Sequence, residues 1–204
     1  MIKVVNEYSS EAGEDSAADE FWIQRDILRH SSKFFQTATK DEWDTLRDEK
    51  HTVTLSFEDR DAFKAYLHWL HQGDIPCPCK DDLSEGDDHQ FLAKLYVIGE
   101  ELMDVPFKNA ILDIIAYLAA SYCPGHEAIS IIYKGTSAGS PARKLLADFC
   151  AHVAHDNDNS WLVAYKEYPH EALVDALAAM TKVRRSPEHR PWARDMEKYH
   201  ETDD

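Results

Sequence analysis

Two pairs of metal-type ligands lie close together in the middle of the chain, His68-x-x-His71 and Cys77-Pro78-Cys79. Histidines three apart share one helix face, and two thiolates after a turn would complete a tetrahedral zinc site, the basis for a metal-dependent enzyme. The spacing argues the other way. A Cys-x-Cys pair is tighter than such sites use, and the histidines flank Trp69 on what reads as the outer side of a helix. His152 and His155, followed by Asp156 and Asp158, repeat the pattern at a polar helix end, where histidine also complements the helix dipole. For nucleophilic chemistry there is no Gly-x-Ser-x-Gly elbow: Ser137 and Ser140 flank Gly139 in a turn, and Cys123 precedes Pro124 with no activating context. The 7 glycines form neither a Gly-x-Gly-x-x-Gly nor a Walker-type loop, and the basic run Lys182–Arg185 suits a helix C-terminus. The expectation is a protein without catalytic residues, cofactor or metal.

The scaffold that would position any site is an acidic one. The chain has 204 residues, with 22 Lys+Arg against 38 Asp+Glu and a formal net charge of −16. Such a charge repels phosphate backbones and anionic membranes, so nucleic acid and membrane are excluded as expected partners. Apolar residues at 44% and aromatics at 11% supply a globular core. The longest apolar run, Ala110 to Ala120, contains Asp113 and is shorter than the roughly 17–25 residues a bilayer requires. No basic segment followed by an apolar stretch opens the chain, and Cys77, Cys79, Cys123 and Cys150 are too dispersed for a disulfide framework. These features predict an intracellular protein, cytoplasmic or nuclear.

Periodicity divides the chain further. Ile2 to Asn6 reads as a strand, Ser9 to Glu20 as a solvated acidic loop, and Phe21-Trp22-Ile23 as a second strand. Ile27, Leu28, Phe34, Phe35 and Ala38 fit two short helices broken near His30, with Ser31 or Ser32 as N-cap of the second. Val53, Leu55 and Phe57 alternate as a half-buried strand. Three amphipathic helices follow: one with Phe63, Tyr66, Leu67 and Leu70 inward and Gly73 as its cap, and one with Phe91, Leu92, Leu95, Ile98 and Leu102 ending before Asp104. The third starts at Pro106 and is apolar at nearly every position, which predicts the centre of the core. Phe63, Leu67, Leu70, Leu95, Ile111 and Ile115 are the expected core residues. Cys123-Pro124-Gly125 then marks a boundary between a domain at 1–122, an all-helical extension at 123–186 and a charged tail at 187–204. The extension reads as helices from His126, from Pro141 (Leu145, Leu146, Phe149, Cys150, Val153), from Trp161 to Tyr168, and from His170 to Val183 (Leu173, Leu177, Met180). Few short strands among many helices give an α+β fold with a short mixed sheet flanked by a helix cluster.

The ordered set Phe21-Trp22-Ile23, Ile27-Leu28, Ser32-Lys33-Phe34-Phe35, Trp43, Val53-Thr54-Leu55 and Phe63 through Gly73, followed by FLAKLYVIGEELMDVPFKNAILDII, resembles the BTB/POZ domain in its fungal form. The resemblance spans roughly the first 120 residues and is specific because separate motifs occur in order. Gln24 stands where the family usually has His, His71 where it has Tyr, and the loop before Phe21 is longer and more acidic. The resemblance implies a BTB/POZ-like fold and a non-catalytic protein–protein interaction module, self-associating through the first helices and the N-terminal strand. Some members recruit cullin-type ubiquitin ligase scaffolds, so a substrate adaptor for such a ligase is the alternative. On this reading Ile2, Val4, Ile27, Leu28 and Phe34 form a partly exposed dimer surface beside a strand with free edges, rimmed by Arg25, Asp26 and Arg29. A homodimer that strengthens as salt screens the like charges is the expected state, and Leu28→Asp would weaken it.

Overall fold

The computed structural model describes residues 1–8, 17–44, 47, 49–76, 87–153, 165–185 and 199. Strands β1 (Ile2–Tyr8), β2 (Ala17–Ile23) and β3 (Thr52–Leu55) form one mixed sheet. The helices are α1 (Arg25–Arg29), α2 (Lys33–Ala38), α3 (Asp41–Asp44), α4 (Arg60–Gln72), α5 (Asp87–Glu101), α6 (Val105–Leu118), α7 (His126–Gly135), α8 (Pro141–Val153) and α9 (His170–Val183). A single 3-10 turn, Tyr165–Glu167, precedes α9. Ser9–Ser16, Cys77, Cys79, His155, Asp156, Asp158, Trp161–Ala164 and the 187–204 tail apart from Tyr199 lie outside the described residues.

The sheet order is β2-β1-β3, with β1 antiparallel to β2 and parallel to β3. Register pairs Ile2 with Ile23 and Val4 with both Phe21 and Val53. Because alternate residues point to opposite faces, these side chains turn to the helices while Lys3 and Trp22 turn away. Two expectations need correction. The N-terminal strand has no free edge: it is the central strand, and Ile2 and Val4 are core residues. The second strand begins at Ala17, since pairing with β1 overrides the weak strand propensity of Ala17–Glu20, and Arg60 of α4 holds Asp19 in an ion pair. Asn6, also buried, accepts from Phe57 N–H at 2.8 Å and donates to Phe57 C=O at 3.1 Å, fixing the chain as it leaves β3.

α5 occupies the centre of the helix cluster, packed against α4, α6 and α7. Its residues Leu92, Leu95, Tyr96 and Ile98 are buried. α6 was the helix expected there, yet it buries only Phe107, Ile111 and Ile115 and leaves Tyr117 79% exposed. Apolar content sets how many residues can be buried; neighbouring elements set how many are. Phe63, Tyr66 and Leu67 of α4 are core residues as expected, whereas Leu70 is only partly covered. Gly73 caps α4 with φ 76°, a left-handed conformation that favours glycine. α7 lies so close to α5 that a Cβ on Gly135 would stand 2.3 Å from Val97. In α9 the buried face is Ala172, Ala176 and Ala179, turned toward α8, and Leu177 points to solvent. One buried apolar cluster therefore runs from the sheet through α5 and α7 to α8 and α9, passing across Cys123–Gly125. No helix among the described residues is long and apolar enough to cross a membrane.

His89, near the start of α5, is fully buried, and neither ring nitrogen has a hydrogen-bond partner of good geometry. Its ring meets Tyr122 edge-on at 5.0 Å, and Tyr122 donates to Asp88 Oδ2 at 2.7 Å. Burial lowers the imidazole pKa from 6.5, outweighing the opposing pull of the Ile115 carbonyl and the Asp88 carboxylate. The folded protein thus holds the ring neutral under conditions where the unfolded chain protonates it. Stability from this site is complete above about pH 6.5 and declines as pH falls toward the folded-state value, by at most about 1.4 kcal/mol per pH unit. Urea unfolding at several pH values should show a shallower acid decline in His89→Phe than in the parent chain.

Candidate interaction surface

A polar hub under the protein surface sets the relation of α1, α2 and the α5–α6 turn. Asp104, fully buried, caps α6 by accepting from Phe107 N–H at 3.1 Å through Oδ1. Its Oδ2 accepts from Ser31 Oγ at 2.5 Å and from Tyr66 OH at 3.1 Å. Ser32 is the cap of α2, accepting from Phe35 N–H at 3.1 Å while donating to Leu102 C=O at 2.7 Å. The Ser31-Ser32 elbow is thus bonded directly to the turn between α5 and α6. Burial and the neighbouring Asp104 charge raise the Tyr66 phenol far above its usual range, so it remains a donor.

The same turn closes α5 in a Schellman arrangement. Met103 N–H donates to Glu100 C=O at 3.1 Å and Asp104 N–H to Gly99 C=O at 2.9 Å. The residue that must adopt the left-handed conformation here is usually glycine; in this chain it is Met103, with φ 51°. A methionine in that conformation costs about 1–2 kcal/mol. It is also 45% exposed, next in sequence to buried Asp104 and then Val105, which is 48% exposed. Phe34 N–H donates to Leu102 C=O at 3.3 Å, so the backbone at the half-buried Phe34, near the start of α2, is bonded to this turn. Ile27, on the helix packed against α2, is half-buried as well.

Of the five residues expected to form a partly exposed dimer surface, the structure leaves Ile27 and Phe34 at the surface and places Ile2, Val4 and Leu28 in the core. Leu28 is covered because α1 lies against α2 and α4, which turns its one inward position fully inside. Leu28→Asp would therefore test folding rather than association. Arg25 is paired with Asp41 at 2.8 Å, while Asp26 and Arg29 are solvent-facing. The exposed apolar side chains of this turn that sequence reasoning did not single out are Met103 and Val105. The signal available was an aspartate N-cap two residues before Pro106, which announces a tight turn but not its left-handed member.

The proposed metal ligands are distributed differently. His68 and His71 are both exposed, and His68 Nε2 lies 2.9 Å from Asp74 Oδ1. No group of three or more potential ligands converges among the described residues. His152 is exposed at the end of α8. Burial raises the Cys123 thiol and pushes Cys150 to about 11, which leaves both as thiols near neutral pH. The chain matches no protein-family model and no curated protein.

Proposed function

We propose that the chain is a BTB/POZ-type protein-interaction module that self-associates through the face built from α2 and the α5–α6 turn, with α1 at its side. The observation that carries this reading is the exposed Met103–Val105 turn beside Phe34, held rigid from beneath by Asp104. Apolar side chains on a strained backbone form a surface whose conformational cost is met before a partner arrives. The residues behind the resemblance support it in a second way: Ser32 caps a helix, and Phe35, Val53, Leu55, Phe63, Tyr66 and Leu95 are buried, so the motif maintains the scaffold beneath this face.

A specific interface buries about 800 Å² per partner, more than Ile27, Phe34, Met103 and Val105 alone provide, so the charged surroundings must enter the contact as its rim. With −16 per chain, association should strengthen as salt is raised. Light scattering of the full chain across salt concentrations is the test. Phe34→Asp should weaken the dimer at least about tenfold by placing an unpaired charge in the contact. A monomer at every salt and at tens of micromolar chain would overturn self-association. Met103→Gly gives a sharper check because two effects carry opposite signs. It relieves the left-handed strain and should raise stability by about 1 kcal/mol, while removing a contact side chain and loosening the dimer. A variant that is more stable and dimerises as tightly as its parent would place Met103 outside the interface.

A further inference from the structure

We infer that the groove between α5 and the connection from β3 to α4 is a docking site for a basic segment of a partner protein, one in which an arginine is followed by aliphatic residues. The inference rests on the interaction reading only in taking this chain to bind protein. The groove shares no lining residue with the face proposed for self-association.

The groove has a volume of about 610 Å³. One wall is the chain from Ser56 to Asp59; the other is Lys94, Val97, Ile98 and Glu101, which share a face of α5 because they are three and four residues apart, joined by Ile131 of α7. Phe57 and Ile98 are buried, and Val97 and Ile131 half-buried, so the lining is apolar beneath a charged rim. That rim holds three carboxylates, Glu58, Asp59 and Glu101, and one ammonium, Lys94. Asp59 engages the ammonium: Lys94 Nζ donates to its Oδ2 at 2.7 Å, while its Oδ1 accepts from Ala62 N–H at 2.9 Å as the N-cap of α4. Among the described residues, Glu58 and Glu101 have no ion-pair partner. Neighbouring atoms desolvate the Glu101 carboxyl enough to raise its pKa above the ordinary value, although the residue as a whole is exposed.

Charge selects the occupant at both short and long range. An acidic segment would meet Glu58 and Glu101 with the one lysine already committed, and would approach a chain of net charge −16. A basic segment gains on both counts, and a cation beside Glu101 replaces hydration that the carboxylate has lost. Arginine suits the place better than lysine, because its planar fork matches carboxylates and it is the more weakly hydrated cation. Its methylene stem and the following aliphatic residues cover Val97, Ile98 and Ile131, which a metal ion or a free polyamine would leave in water. A second copy offers the exposed run Lys182-Val183-Arg184-Arg185, but brings a further −16 with it.

The test uses the full chain and a fluorescently labelled hexapeptide, blocked at both ends, in which arginine, valine and leucine stand among glycines, read by anisotropy. Saturable binding is expected, weakened about tenfold when citrulline replaces the arginine and again when serines replace the valine and leucine. Glu101→Gln should weaken the arginine peptide about tenfold without moving the unfolding midpoint, and Glu101→Lys should turn the preference toward a glutamate peptide. Asp148→Asn, at an exposed carboxylate of α8, should leave binding as it is. Absence of saturable binding, equal affinity for the citrulline peptide, or equal losses in Glu101→Gln and Asp148→Asn would overturn the inference, the last by showing diffuse attraction to an acidic chain. So would loss of self-association in both Glu101→Gln and Arg184→Glu, because the groove would then belong to a second copy. The two readings fail separately: dimerisation that Phe34→Asp disrupts, without peptide binding, removes this inference alone, and peptide binding by a chain that stays monomeric at every salt removes the self-association reading alone.

Discussion

Asp104→Ala is expected to lower the stability of the protein by about 3–5 kcal/mol, a large share of the 5–15 kcal/mol that holds a typical domain together. Three losses combine. The N-cap of α6 goes, typically worth about 1 kcal/mol. The hydrogen bonds from Ser31 and Tyr66 to a charged acceptor go with it, each worth about 1.5–3 kcal/mol in favourable settings. The Tyr66 hydroxyl is then left in the core with its acceptor removed, and hydroxyls stranded in this way carry a desolvation penalty. Asp104→Asn keeps an acceptor for Phe107 N–H and the shape of the side chain, but exchanges the charged acceptor for an amide. It should fall between the parent and alanine. Urea unfolding with all three proteins measures the order, and an alanine variant within about 0.5 kcal/mol of the parent would remove Asp104 from the role of hub.

What could be read from the sequence was what local spacing controls. A serine cap at Ser31 or Ser32, Gly73 as a helix stop, the break between α1 and α2, and the inward set Phe63, Tyr66 and Leu67 all depend on residues within one or two turns. Placement across the chain was not legible in the same way. Alternation in Ile2–Asn6 says that one face is apolar; it does not say that β3, fifty residues later, will cover the second edge. For that reason Ile2 and Val4 were expected at a surface and are found in the core. α6 misled in the opposite direction, since a helix apolar all round signals centrality only when elements are present to surround it, and here they surround α5. α9 hides its packing in alanines, which carry little weight in a hydrophobic pattern yet allow close approach to α8. The proposed interaction face was half legible. Phe34 and Ile27 follow from periodicity, whereas Met103 matters through a backbone angle that no composition reveals.

Arg143→Ala should loosen the three C-terminal helices and lower stability by about 3–4 kcal/mol, even though Arg143 appears in no motif. The side chain is buried on α8 and serves three neighbours at once. Its Nη2 donates to Tyr133 C=O at 2.7 Å and also to Thr136 C=O, its Nε donates to Thr136 Oγ1 at 3.0 Å, and its guanidinium lies 4.6 Å from the Tyr133 ring. These carbonyls belong to the end of α7, where backbone acceptors have no further helical turn to bond them. Arg143 therefore acts as a cap supplied by the next helix, and its Nη1 extends the link to Glu171 of α9 at 2.6 Å. Most of the effect should come from the carbonyls rather than the ion pair, because Glu171 is largely exposed and water competes for it. Glu171→Gln is accordingly expected to cost less than about 1 kcal/mol. Arg143→Lys should recover little of the loss, since an ammonium lacks the planar fork that reaches the two carbonyls and the threonine hydroxyl together. Hydrogen exchange reads the location: in Arg143→Ala the amides of α7, α8 and α9 should exchange faster before those of β1 do, because local openings follow the weakened contacts. Equal acceleration in β1 would mean that the helices after Gly125 open only together with the sheet, as the apolar cluster shared through α5 would then require.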